Sequence, residues 1–419
     1  MPILGLRTTA NFVANQRPEN WRETLLMLYP NSPDAAKAPL TALTSKMKSE
    51  KTDDPIFHWW EKALDDRRLK LNEDLDNSET GIDVDQTYKT AFIVKAGDIL
   101  MIEGTGELVR VASDPTAATS ITVTRGVAGT SATAHDPTAA GANPYMVVVG
   151  SAFEEGSLAP SGVNYDPNEK SNYTQIFRST MEMTRTAMQS RLRTGDQVKE
   201  ARRECLEYVG IDMERAFWFG KKAATTLNGK PLRYTDGIIS QITAGAPGNV
   251  ISVADYDPDG RIDLDWIEQV LMEPAFRYGS SEKVAFGSNV ALLALTTAVR
   301  KNGTFNIDTG VKEYGMEFTR ITGAFGTMMF KVHPLFNQMR GGTTAGTQFN
   351  AVANNVYVLD MPFIRYRYLQ DLKYEGDLQA VGQDAMKAGY IAECGLEVHH
   401  PTAHFIVTGL RGGKKDAAA

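Results

Sequence analysis

The spacing of apolar positions along the chain changes several times, and each change marks a predicted element. Over residues 1–52 the apolar anchors Leu25, Leu26, Leu28, Tyr29, Leu40 and Leu43 stand among prolines and polar residues with no sustained period. Such a segment has little core of its own and reads as an arm lying on another surface. Asp54-Pro55 then predicts a short helix over Ile56 to Leu64, with Asp as cap and Pro in the first turn. Trp59 and Trp60 are adjacent, so they face different ways. From 86 to 150 short β-type runs take over: Phe92 to Val94, Ile99 to Met101, Leu108 to Val111, Ile121 to Val123 and Tyr145 to Val149. Gly and Asp-Pro turns split them, which predicts a compact antiparallel β module of about five strands.

After a loop over 151–170, Tyr173 to Met183 reads as a strand. Thr194-Gly195-Asp196-Gln197 fits a capping box. Val198, Ala201, Cys205, Val209, Met213 and Ala216 then repeat at helical spacing, with the end expected at Gly220, ahead of Lys221 and Lys222. A helix of roughly 25 residues would be nearly 40 Å long, a structural strut, with Gly210 as its weak point. Residues 230–375 alternate helix and strand patterns. Asp263 caps a helix carrying Trp266, Ile267, Val270 and Leu271, and Asn289 to Val299 is a second helix. Val284 to Phe286, Met316 to Ile321, Met328 to Val332 and Val356 to Leu359 read as strands, together an α/β layer. Tyr390 to Leu410 reads as one or two closing strands, and the Gly/Lys/Ala tail has nothing to bury. The whole is of the α+β class.

Length and composition set the class. A chain of 419 residues is too long for one small core, so two or three structural units are expected. With 42% apolar and 23% charged residues it reads as a soluble globular protein. No apolar run approaches the roughly 20 residues of a membrane span, and the first residues do not read as a secretory signal, so folding in a cytosol is expected. The balance of 51 acidic against 44 basic residues opposes tight nucleic-acid binding, but it does not exclude a protein that only encloses DNA, since a mildly acidic surface avoids adhering to it.

Candidate chemistry is sparse. Asp255 to Ile262 matches the first eight positions of a calcium-binding EF-hand loop, but the twelfth, where a bidentate Glu belongs, is Trp266. An Asp/Pro/Gly turn before a capped helix is the better reading. Among His399, His400 and His404, Pro401 blocks helical placement, and in a strand His400 and His404 would stand about 13 Å apart, too far for one ion. Cys205 lies on the apolar stripe of the long helix, and neither it nor Cys394 belongs to a Cys-x-x-Cys pair. Arg340-Gly341-Gly342 and Arg411-Gly412-Gly413 are too isolated for an RNA-binding tract. No nucleophile elbow or phosphate-binding glycine loop is present. The expectation is a protein that is not an enzyme, with no catalytic, cofactor-binding or metal residues and no cofactor.

Several ordered stretches resemble one family, the major head proteins of tailed double-stranded DNA bacteriophages with the Hong Kong ninety-seven capsid fold, in the subgroup with a β insertion in the extended loop. They are Leu28 to Asn31, Ala38 to Leu43, Asp54 to Lys62, Ile121 to Gly126, Asn172 to Arg178, Glu214 to Lys221, His333 to Asn337, and Gly395 to Val398 continuing through Pro401, His404 and Gly409-Leu410. The resemblance spans nearly the whole chain, and the shared order of its pieces is more specific than any one of them.

The resemblance implies an N-terminal arm over 1–52, then a short helix and the first part of the extended loop over 53–85. A β-rich insertion domain follows over 86–150, with the return of the loop over 151–193. The spine helix of the peripheral domain would occupy 194–234, the axial domain 235–375, closing peripheral strands 376–411 and the tail 412–419. It implies a structural major capsid protein of the virion, assembling in the host bacterial cytoplasm as hexamers and pentamers into an icosahedral head around double-stranded DNA. A separate scaffolding protein, a portal at one vertex and a candidate decoration protein would be its partners, with no membrane. An encapsulin-type cellular shell is the alternative within the same fold. A calcium- or carbohydrate-binding β protein is the alternative outside it.

Overall fold

The computed structural model describes residues 48–62, 65–139, 141–190, 196–302, 306–313, 316–338 and 350–410. The chain forms two compact units, one spanning Trp60–Glu169 and the other holding Lys170 onward together with the residues before Trp60. Strand β1 (Ser49–Lys51) is followed by β2 (Ile56–Glu61). The predicted helix over Ile56 to Leu64 is therefore corrected, residues 63 and 64 lying outside the described set. Phe57, Trp59 and Glu61 are buried while Ile56, His58 and Trp60 are exposed. That is a period of two, which a strand supplies and a helix does not. The adjacent tryptophans face opposite ways because they alternate across a strand.

The Trp60–Glu169 unit is a six-stranded sheet of β3 (Arg68–Lys70), β4 (Gly81–Asp83), β5 (Asp98–Ile102), β6 (Leu108–Val111), β7 (Ser120–Thr124) and β8 (Tyr145–Ser151), in the order β3-β8-β5-β6-β7-β4. All pairings are antiparallel. One face holds a core of Leu69, Leu71, Ile82, Leu100, Val109, Ile121, Val123 and Met146. Two features differ from the sequence reading. Phe92 to Val94 does not form a strand; Ala91–Ile93 is a single 3-10 turn that buries Ala91 and Ile93 and exposes Phe92. The module also begins before residue 86. Both sheet edges, β3 and β4, come from the preceding segment, where three-residue strands give too short a pattern to read.

Strand β9 (Asn168–Tyr173) pairs with β2, and the other unit continues from it. Strand β10 (Gln175–Thr184) leads toward the long helix, Gln197–Phe219. Asp196 caps this helix, its carboxylate accepting from the Val198 and Lys199 amides, and Gly220 ends it. Thr194, the start of the expected capping box, lies outside the described residues. The helix runs unbroken through Gly210, and its buried stripe is Cys205, Val209, Met213, Glu214, Phe217 and Trp218. At 1.5 Å per residue its 23 residues span about 35 Å.

Past the helix, β11 (Ala223–Leu227) and β12 (Lys230–Tyr234) form an exposed hairpin. The seven-stranded sheet comprises β13 (Val250–Ser252), β14 (Glu282–Gly287), β15 (Asn306–Glu313), β16 (Met316–Thr322), β17 (Thr327–Val332), β18 (Val356–Leu359) and β21 (Phe405–Thr408), in the order β13-β21-β18-β14-β17-β16-β15. Asp263 caps the next helical stretch by accepting from the Trp266 amide, and that stretch is π-helical from Ile267 to Met272. A four-stranded sheet, β1-β19-β20-β10, is built on β19 (Ile364–Glu375) and β20 (Ala385–Val398). The expected boundary at 375/376 does not follow these sheets. β19 pairs with β1 and β20 in the four-stranded sheet, while β21 returns to the seven-stranded sheet, because strand partners are chosen by long-range pairing and not by sequence order. A core of Val209, Phe217, Trp218, Phe286, Tyr357, Cys394 and Leu396 joins the long helix to both sheets.

Candidate assembly surfaces

Several segments that carry the family resemblance, those around Trp59, Asn172, Glu214, His333 and Gly395 to Leu410, take part in buried polar contacts, while Leu28 to Asn31 and Ala38 to Leu43 lie outside the described residues. Glu214 and Trp218 lie one helical turn apart, so the Trp218 indole N–H donates to Glu214 Oε1 at 2.8 Å. The Leu335 amide donates to His333 Nδ1 at 3.2 Å, which leaves the proton on Nε2, 2.9 Å from the same Glu214 oxygen. Glu214 and His333 are fully buried, and the His333 ring stacks on Phe336 at 4.2 Å. This contact fastens the long helix to the turn after β17.

A second contact gathers Lys283 on β14 with Asp360 and His404, all fully buried. Lys283 Nζ donates to the carbonyls of Tyr278 and Ala403 and stands 3.5 Å from Asp360 Oδ2. Asp360 also accepts from the Ser280 amide and hydroxyl. The Asp360 amide donates to His404 Nδ1 at 3.1 Å. Burial, and then the Lys283 charge, push the His404 imidazole down to about 3, so it is neutral. Burial likewise lowers the Lys283 ammonium.

The third contact ties down the segment before β2. Burial alone would raise the Glu397 carboxyl, but His399 at 2.8 Å and Arg367 at 2.6 Å hold it below its usual range. Arg367 also meets Glu50 at 3.0 Å, on β1, which runs parallel to β19. Trp59 stacks on His399 at 5.9 Å. Asn172, fully buried, uses its whole amide: Nδ2 donates to the carbonyls of Leu396 and Asp236, and Oδ1 accepts from the Tyr173 and Asp236 amides. The sequence shows several of these stretches but not their pairings. Residues such as Glu214 and His333 stand far apart in the chain, and an acidic side chain on an otherwise apolar helix stripe was the one local signal.

The chemical candidates read from sequence are absorbed by the fold. Asp257 Oδ1 accepts from the Asp259 amide at 3.1 Å, Asp259 meets Arg261 at 3.5 Å, and Asp263 is a helix cap. Trp266, the twelfth position of the calcium-like pattern, is buried among Ile262, Ile267 and Leu271. The His399 and His404 rings face different partners, Glu397 and the Asp360 amide, with His404 Nε2 3.3 Å from the His399 carbonyl, and His400 sits at a left-handed corner against Phe363. Cys205 and Cys394 are buried, and burial raises the Cys394 thiol to about 12. Among the described residues no group of three or more His, Cys, Asp or Glu could hold a metal ion. Arg340 to Gly342 and Arg411 to Gly413 lie outside the described residues.

What the fold presents outward is surface for contact. Among the described residues no helix is long and apolar enough to cross a membrane. Large apolar groups stand in solvent on several elements: Trp60 on β2, Tyr208 on the long helix, Leu227 on the β11–β12 hairpin, and Leu293 and Phe325 around the seven-stranded sheet. Strand β1 is a fully exposed sheet edge.

Comparison with known proteins bears on what such a body is for. Residues 8–411 match the family described as SU10 major capsid protein. Over 414 residues the chain is 26% identical to the major capsid protein of Pseudomonas phage PaMx41, covering 94% of this chain and 92% of that one. Among solved structures it is similar to the capsid of a native GTA particle, at 8% identity over 97% of this chain and all of that one, with a TM-score of 0.47. It is similar to Mycobacterium phage Bobi at 9% identity over 96% and 97% of the two chains, TM-score 0.43. The encapsulin of Synechococcus elongatus PCC 7942 is similar over 61% of this chain and 81% of its own, at 12% identity and TM-score 0.41. The family match runs almost from end to end and takes in every segment that forms the buried contacts above, and on that ground the chain belongs to the SU10 major capsid protein family.

Proposed function

We propose that this chain builds the icosahedral head of a tailed phage by closing as hexamers and pentamers around double-stranded DNA. The observation that carries the reading is the family match over residues 8–411. As a major capsid protein it is a structural component of the virion that assembles with copies of itself, not an enzyme. In this reading the long helix and the β1-β19-β20-β10 sheet form the peripheral domain of the Hong Kong ninety-seven fold. The seven-stranded sheet, β21 included, forms the axial domain. The Trp60–Glu169 unit is the enlarged extended loop, and residues 1–52 are the arm that clamps a neighbour.

A fully exposed β1 held by Glu50 to Arg367 supports the arm assignment, since it anchors the segment's end to the subunit edge. A scaffolding protein, a portal and a decoration protein complete the proposed set of partners. Negative-stain microscopy and sedimentation of the protein expressed with and without a scaffold test the reading. Hexamers, pentamers or shells are expected, and a strictly monomeric protein at high concentration with scaffold present would refute it. Removing residues 1–50 should leave a folded subunit that assembles poorly; normal shells from that variant would refute the clamp.

A further inference from the structure

The six-stranded sheet of the Trp60–Glu169 unit buries one face in its own core, yet the middle of its other face, on β8, β5 and β6, is also apolar. A solvated sheet face ordinarily alternates to polar residues. Here Val147, Met101 and Leu108 stand opposite one another across β8, β5 and β6, with Ile99 and Val149 beside them. Val149 is exposed and the other four are half-buried. Arg110, paired across the strands with Ile99 and Thr124, points to the same face. The neighbouring cations are occupied: Arg68 by Glu103 and Lys70 by Asp85. Arg110 has no hydrogen-bond or ion-pair partner among the described residues, although acidic residues outnumber basic ones 18 to 8 in this unit.

The same unit carries a complementary feature in the segment after β8. After β8 the chain runs through Phe153 to Leu158. Phe153 lies on Gly97, whose added Cβ would fall 2.4 Å from the ring and whose φ of +87° suits glycine. Beyond, Ser161 donates to Asp114 at 2.6 Å. Between these two anchors Glu154 to Ser157 form a turn, closed by the Ser157 amide on the Glu154 carbonyl at 3.2 Å, with Gly156 at φ +78°. The tip therefore projects at a fixed place. Leu158 is 92% exposed, and the Glu154 and Glu155 carboxylates have no partner among the described residues. One apolar side chain beside two free carboxylates is the complement of an apolar row beside one free guanidinium.

We infer that the Glu154–Leu158 tip of one copy docks on the β8-β5-β6 face of a second copy, Leu158 on the Val147–Met101–Leu108 row and Glu154 or Glu155 on Arg110. Tip and face are different sets of residues, so such a contact between copies is head-to-tail and closes where rotation about an axis closes. The inference rests on the shell reading above and adds to it a contact between neighbouring β units.

The test uses full-length protein. Arg110→Glu should weaken assembly about tenfold, the loss of one ion pair in a closed contact. The charge swap, Arg110→Glu with Glu154→Arg and Glu155→Arg, should restore it. Circular dichroism shows whether each variant is folded. In parallel, Leu158→Cys protein mixed with Leu108→Cys protein before assembly and oxidised should give a disulfide joining the two variants, identified by peptide mass, since both native cysteines are buried. Wild-type assembly in folded Arg110→Glu, failure of the swap to restore assembly, or absence of the mixed disulfide in formed shells overturns the docking alone. A wild-type protein that forms no shell overturns the capsid reading, and the docking with it.

Discussion

Arg125 and Glu107 tie the start of β6 and the end of β7 to the segments around Asp76 and Thr133, and removing one of them should unfold the β unit before the rest. Glu107 is 1% exposed and Arg125 6% at the side chain. Arg125 donates twice to Glu107, both at 2.7 Å, and also to the carbonyls of Asp76 at 2.8 Å and Thr133 at 2.9 Å. Burial would raise the Glu107 carboxyl, but Arg125 and the Gly126 and Thr133 amides hold it low, so it is charged. Arg125→Ala leaves this carboxylate buried with two amide donors and no counter-charge, and frees two carbonyls. Breaking a buried pair in this way costs about 3–5 kcal/mol. A unit of this size is stable by about 5–15 kcal/mol, so much of its margin would go.

In the calorimetry of the unassembled subunit, Arg125→Ala should move one transition down by at least ~15 °C and leave the other near its wild-type position. Arg125→Lys keeps the charge but loses the two-pronged geometry and should fall between the two. The double variant Glu107→Gln with Arg125→Gln should cost less than the sum of its single changes by about 2 kcal/mol, the coupling expected of residues in contact. An Arg125→Ala subunit within about 1 kcal/mol of wild type, or strictly additive changes, would refute the argument.

Three further outcomes follow from the same kind of reasoning. His404 has a folded-state value near 3 against an ordinary 6.5, so the unfolded chain binds its proton first; stability should fall as the pH drops from about 6.5 toward 3, on the order of 4 kcal/mol from this group. Urea midpoints across that window should flatten in His404→Asn, and an unchanged slope would show that His404 is not the neutral buried group described. Val209→Asp should cost at least ~4 kcal/mol by burying an unpaired carboxylate in the long helix stripe, giving an insoluble or unassembled product, whereas wild-type melting would place Val209 outside the core. Replacing residues 65–165 with a Gly/Ser linker should leave a folded remainder by circular dichroism, while replacing only 86–150 strands Leu69, Leu71 and Ile82 without their sheet and should aggregate on a sizing column.

Much of the local structure was legible in the chain because local forces make it. The long helix announces itself through a cap, a stripe at 3.6-residue spacing and a terminal glycine, and the runs Ile99 to Met101, Leu108 to Val111 and Ile121 to Val123 are short, largely apolar, contain β-branched residues and are bounded by turns. The family, too, was readable from the order of its short segments. Tertiary structure decided the rest. Ile56–Glu61 has the Asp-Pro start of a helix, yet becomes a strand because pairing with β9 and burial of Phe57 and Trp59 on one side outweigh that local signal. β3 and β4 are too short to show a pattern and exist only as the edges of a sheet whose centre lies later in the chain. β19 and β21 exchange the sheets that sequence order would assign them. Glu214 reads as a polar intrusion on an apolar stripe until His333, 119 residues away, is seen to meet it. In each case the deciding energy is a pairing or burial between segments distant in the chain, and such an energy leaves no period in the sequence around either partner.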